Sequence, residues 1–144
     1  MFKGILLPID LNDPSSWAKA LPVTVELVEK FGCSLHIVTV VPTYGMPIVS
    51  GYFPEDFEKK MVDATITRLH EWSGENLPQG MAAQHIVAHG TVYEEIVETR
   101  KRLGGVVDLI VMASHRPDLK DYLIGPNAAR VLRHSEVSVL IVRE

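Results

Sequence analysis

The chain has one cysteine, Cys33, in 144 residues. An intrachain disulfide and a cysteine-based zinc cluster are thereby excluded, in keeping with a reducing compartment. No apolar run approaches the roughly 18 residues of a membrane span. The opening Met1–Pro8 has neither the apolar length nor the cleavage pattern of a signal peptide. A cytoplasmic protein without a membrane partner is the expectation. A basic surplus is missing as well: 14 Lys and Arg stand against 18 Asp and Glu, for a net charge of −4. Nucleic acid is therefore not an expected partner. Neither a Walker A sequence nor a G-x-G-x-x-G fingerprint occurs, which excludes P-loop phosphoryl transfer. Ser15 and Ser16 have no accompanying His and Asp pattern that would mark a nucleophile. His85 and His89 share one strand face but lack a third ligand at a recognisable spacing, so no metal site is expected.

What the chain does have is 47% hydrophobic residues, enough for one domain over residues 1–144 with a core of its own. Gly4–Ile9, Ser34–Val41, Val107–Met112 and Val137–Val142 are short, nearly continuous runs of Val, Ile and Leu. Strands buried on both faces of a parallel sheet read this way. Ala82–Ala88 is a more polar strand. Helical patterns lie between them. One starts at the cap Asp13-Pro14, runs to Phe31 and closes at Gly32. Pro22 lies inside it, which predicts a kink or a displaced start. Pro54–Trp72 carries Phe57, Met61, Ala64, Thr65, Leu69 and Trp72 on one stripe. Thr91–Leu103 carries Val92, Ile96, Val97 and Leu103, and Asn127–His134 carries Ala128, Val131 and Leu132. The alternation predicts an α/β fold: an open five-stranded parallel sheet with helices on both faces. Pro42–Pro54 is the longest irregular piece, read either as a lid or as a plain surface connection.

Ligands of such sheets collect beyond the carboxyl ends of the strands. The junction after Met112-Ala113 is therefore the first candidate. Ser114, His115 and Arg116 follow the strand, and Arg can grip a phosphate with two donors. Gly125, Pro126 and Asn127 open a helix whose free N–H groups and dipole suit an anion. A plain strand-to-helix loop with a solvated Arg fits the same residues. The second candidate is Asp10 at the end of the first strand, which could accept from ribose hydroxyls or simply cap the following turn. His36 reads as a satisfied core residue, and Glu94, Glu95 and Glu98 as a solvated helix face.

Three segments together resemble the universal stress protein family over essentially the whole chain. They are Ile5-Leu6-Leu7-Pro8-Ile9-Asp10, Leu35–Pro42, and the block Asp108–Val142 with Ala113-Ser114-His115-Arg116-Pro117 and Gly125-Pro126-Asn127-Ala128-Ala129. The short single-domain F and G types are most similar. The resemblance implies a Rossmann-like sheet, a homodimer paired through Val137–Val142, and a role in stress response. The residues themselves offer no assembled general base, so no enzyme is expected beyond a weak ATPase activity, with Asp10 and Asp118 the only acids near the site. The resemblance also implies ATP, with Mg, as cofactor. By position, Pro8, Ile9, Asp10 and Val40 would line the adenosine pocket, while Met112, Ala113, Arg116, Gly125, Pro126 and Asn127 would surround ribose and phosphates. The family's ATP-binding members usually carry Gly, two residues, Gly, nine residues, then Gly and Ser or Thr. Here Ala113 and Arg116 replace the first two glycines, eight residues separate Arg116 from Gly125, and Pro126 replaces the hydroxyl residue. Each lost donor to a phosphate weakens binding by about 1.5–3 kcal/mol. A regulator binding ATP or a related adenine nucleotide is the leading reading. The alternative is a nucleotide-independent dimeric interaction module with a degenerate site.

Overall fold

The computed structural model describes residues 1–42, 57–114 and 125–143. Five strands form one parallel sheet: β1 (Gly4–Ile9), β2 (Ser34–Pro42), β3 (Gln84–Gly90), β4 (Leu109–Ala113) and β5 (Ser138–Val142), in the spatial order β3-β2-β1-β4-β5. The helices are α1 (Ala20–Phe31), α2 (Phe57–Asn76), α3 (Val92–Leu103) and α4 (Pro126–His134). The expected open α/β sheet is therefore observed. Most of the Pro42–Pro54 segment lies outside the described residues.

β1 is central and every one of its residues is buried. Its side chains alternate between two cores, as the pleat requires. Ile5, Leu7 and Ile9 pack with Leu21, Leu69 and Trp72 beneath α1 and α2. Leu6 packs with Ile96, Ile110, Ala128 and Val131 beneath α3 and α4. A continuous apolar run was needed here because both faces are covered.

The expected early helix start is displaced. Asp13 caps a short 3₁₀ turn, Pro14–Ser16, accepting from the Ser15 N–H at 3.0 Å, and α1 proper begins only at Ala20. Pro22 thereby falls in the first helical turn, where a missing N–H has no intrahelical acceptor to lose. Gly32 ends the helix at φ 66°, its N–H on the Val28 carbonyl at 2.9 Å. β3 runs two residues later at each end than the pattern predicts, because its partner β2 pairs from His36↔Gln84 to Pro42↔Gly90. Two helical stripes are narrower than expected: Ala64 on α2 and Leu132 on α4 are exposed. His36 is a buried, satisfied core residue, bonded to the Ser34 hydroxyl at 3.0 Å and to Gln84 Oε1 at 2.5 Å.

α2 is fastened to β3 through histidines. Ser73 Oγ lies 2.6 Å from His85 Nε2, and the His85 ring sits 4.2 Å from that of His70. His89 pairs with Glu58 at 3.0 Å. Burial, and then the charge of His70, hold the His85 pKa below its ordinary value of 6.5. The unfolded chain thus takes up this proton first. The stabilisation is complete above 6.5 and is lost as the pH falls below it. The melting temperature should therefore drop between pH 7.5 and 5. His85→Gln should flatten that acid-side slope relative to wild type, and identical slopes would remove His85 from the explanation.

Candidate functional site

The order of strand addition reverses between β1 and β4. From β1 the chain winds outward through β2 and β3, then crosses back to lay β4 on the other side of β1. This is the topological switch point, where connections leave for opposite faces and a crevice opens beyond the strand ends.

Pro8 lies where the ladder between β1 and β4 has ended. β1 and β2 stay in register from Gly4↔Ser34 to Ile9↔Thr39, whereas β1 and β4 pair only at Ile5↔Leu109 and Leu6↔Ile110. A proline has no N–H to give to a ladder, so a strand containing it can keep only one complete side. β4 stays paired with β5 along its whole length, from Leu109↔Ser138 to Ala113↔Val142, so beyond Ile110 β5 is its only ladder partner. At the opposite end the two strands are clamped: the Asp108 carboxylate accepts from the N–H groups of Lys3 and Gly4 at 3.0–3.2 Å. The carboxyl halves Pro8-Ile9 and Met112-Ala113 thus border a split that the amino halves do not share.

The fold gathers nine of the ten expected site residues around this end of the sheet. Pro8, Ile9 and Asp10 finish β1, and Met112 and Ala113 finish β4. Val40 lies near the end of the adjacent β2, half-buried against the α3 and α4 core. Met112 is buried in that same core, so its backbone is better placed for a ligand than its side chain. Gly125 is pinned beside β4, its N–H on the Ser114 carbonyl at 2.9 Å, while the Ser114 N–H reaches the Val142 carbonyl at 3.1 Å. Pro126 is the first residue of α4 and Asn127 the second. Arg116 lies outside the described residues.

Asp10 takes up the capping role and keeps an oxygen to spare. Its Oδ1 accepts from the Asn12 N–H at 2.9 Å, an Asx turn. Among the described residues Oδ2 has no partner, and the residue is exposed. Ser16 brackets the Asp10 main chain instead. It accepts from the Asp10 N–H at 2.8 Å and donates to the Asp10 carbonyl at 3.1 Å. Asn12 and Arg68 also belong to this neighbourhood, with Arg68 Nη2 donating to Asn12 Oδ1 at 2.9 Å.

The α4 terminus adds donors. The first N–H groups of a helix have no intrahelical acceptor, and Pro126 has none to offer, so Asn127 and Ala128 supply the first two. The Ala129 N–H already bonds the Gly125 carbonyl at 2.9 Å. The arrangement offers a carboxylate on one side of a crevice and a positive helix end on the other. That suits a ligand with hydroxyls at one end and negative charge at the other. Among the described residues no group of three or more His, Cys, Asp or Glu could hold a metal ion, and no helix is long and apolar enough to cross a membrane.

Comparison with known proteins agrees with this fold. The profile of the universal stress protein family matches residues 1–143. Universal stress protein G of Shigella flexneri is 30% identical over 148 residues, covering 99% of this chain and 100% of that protein. Among solved structures, universal stress protein UspA from Lactobacillus plantarum superposes with a TM-score of 0.71 at 18% identity, covering 98% of this chain and 97% of that one. A universal stress protein in complex with cAMP superposes with a TM-score of 0.66 at 17% identity, covering 99% of this chain and 97% of that one. The two superpositions show a common fold. The match along the whole chain shows more: this protein belongs to the universal stress protein family.

Proposed function

We propose that the protein is a cytoplasmic regulator of the stress response that binds ATP or a related adenine nucleotide in the crevice between β1 and β4. The observation that carries this reading is the split between the carboxyl ends of those strands, with the Asp10 carboxylate on one side and the start of α4 on the other. Pro8, Ile9, Asp10 and Val40 take the adenosine, and Asp10 Oδ2 accepts from a ribose hydroxyl. The backbone of Met112 and Ala113, together with Arg116, Gly125, Pro126 and Asn127, surrounds the ribose and phosphates, with Mg accompanying ATP. The bound cAMP of a related structure supports an adenine ligand. The protein acts by binding and not by catalysis.

Calorimetric titration with ATP, ADP, AMP and cAMP tests this. At least one should bind at millimolar concentration or tighter, and Asp10→Ala should weaken it by about tenfold, the worth of one hydrogen bond to a charged group. Absence of heat with all four in the wild-type protein sinks the reading.

A second reading is favoured by β5. It is an edge strand made of Ser138-Val139-Leu140-Ile141-Val142, with Leu140 37% exposed. An uncovered apolar edge invites pairing with another copy. We infer a homodimer through this strand. In a nucleotide-independent module the dimer itself would be the functional unit. Sedimentation with and without ATP separates the two: a dimer that forms equally well in a protein binding no nucleotide favours the module.

A further inference from the structure

Resting on the nucleotide reading above, we propose that Arg68, held at the carboxyl end of β1 by the Asn12 side chain, contacts the phosphates and makes the site prefer charged nucleotides over the free nucleoside.

The loop that leaves β1 carries two carboxylates in four residues, Asp10 and Asp13. Both serve as caps, Asp10 for the Asn12 N–H and Asp13 for the Ser15 N–H and hydroxyl. On their own they repel an anionic ligand. The nearby counter-charge comes from a distant part of the chain. Arg68 projects from α2 on the α1 side of the sheet, and its Nη2 donates to Asn12 Oδ1 at 2.9 Å. Asn12 in turn donates its N–H to Asp10 Oδ1 at 2.9 Å. The guanidinium is thus fixed two residues along from the strand-end carboxylate. Among the described residues it forms no ion pair with Asp or Glu. One Nη is committed to a neutral amide, which leaves most of its five donors and its full charge for another acceptor. Phosphate is the matching acceptor, since a guanidinium grips it with two parallel donors.

The placement also addresses what the α4 side lacks. Pro126 withholds an N–H and a hydroxyl from the phosphates. Arg68 is held beside the loop after β1, on the α1 side of the sheet, and a tethered cation there can stand in for missing dipoles. The competing role for Arg68 is a purely mechanical tether between α2 and the loop after β1. A tether would affect adenosine and ATP alike, whereas a phosphate contact affects only the charged ligand.

The experiment compares adenosine, AMP and ATP by calorimetry on wild type, Arg68→Gln, Arg68→Lys and Asn12→Ala. Arg68→Gln should weaken ATP by about tenfold or more and leave adenosine unchanged. Arg68→Lys should recover part of the loss, since charge returns without the fork. Asn12→Ala, which frees the guanidinium but keeps the backbone turn, should give an intermediate loss for ATP alone. Equal loss of ATP and adenosine in Arg68→Gln, or no loss of either, overturns the proposal while leaving the nucleotide reading intact. A wild-type protein that binds none of the three overturns this proposal, and the nucleotide reading falls with it only when ADP and cAMP give no heat either.

Discussion

Gly4→Ala should be the most damaging single-methyl change in the described structure, lowering stability by about 3 kcal/mol and the melting temperature by roughly 10 °C. A Cβ built on Gly4 would lie 2.0 Å from the Val106 carbonyl oxygen and 2.7 Å from Ser34 Oγ. The serine could rotate away. The carbonyl cannot without moving the Gly104–Val106 turn that leads into β4. That turn is held where Gly4 is: the Gly4 N–H reaches the Asp108 carboxylate at 3.2 Å, and the Asp108 N–H reaches the Gly4 carbonyl at 3.1 Å. A side chain at Gly4 therefore forces apart the one end at which β1 and β4 are joined. Gly74→Ala supplies the opposite sign. Gly74 sits inside α2, exposed, and a Cβ added there would meet nothing within 4 Å. Alanine there should stabilise by about 0.5–1 kcal/mol, the helix preference over glycine. Chemical denaturation of both variants checks the pair. A Gly4→Ala protein as stable as wild type would show that the turn yields freely.

The sequence made β1 legible to the residue, because its run is buried on both faces and is bounded by Lys3 and Asp10. β3 was less so. Its residues are exposed or half-buried except for Ala88, so no continuous apolar run marks it, and its ends follow β2 rather than its own pattern. Leu132 satisfied a helical stripe on paper, yet α4 buries only Ala128 and Val131, a narrower face than the spacing implied. The site shows the same division. Asp10 was legible as a candidate because strand-end acids occupy a definable place in an α/β sheet. Pro8 entered as a candidate only through the family resemblance, and its effect on the ladder to β4 depends on which strands flank β1, a fact of topology. Arg68 and Asn12 are 56 positions apart. No periodicity links a helix side chain to a loop amide at that range, and only the packing of α2 beside α1 joins them.

Pro126→Ser should strengthen ATP binding by about ten- to a hundredfold for each new hydrogen bond to phosphate, at a small cost to the apo protein. This prediction rests on the nucleotide reading. Gly125 has already committed its N–H to Ser114, and the first free donor of α4 belongs to Asn127. Position 126 is therefore where a new donor adds most. Serine brings an N–H and a hydroxyl to the positive end of the helix, and a hydrogen bond to a charged group is worth about 1.5–3 kcal/mol. The loss on the other side is modest. Proline favours the first helical position through its fixed φ, and it limits the unfolded chain, so its removal should destabilise the apo protein by roughly 0.4–1 kcal/mol. Adenosine affinity should not change, since the nucleoside has no phosphate to meet the new donors. The combined signature is a slightly lower apo melting temperature, tighter ATP and unaltered adenosine. Unaltered ATP affinity would place the phosphates away from α4 and leave Arg68 as the principal described cation near them. A gain in Pro126→Ser that survives in the Arg68→Gln background would instead show that both faces of the crevice hold the phosphate chain. Pro126 would then set the affinity of the site, trading ligand donors for a firmer helix start.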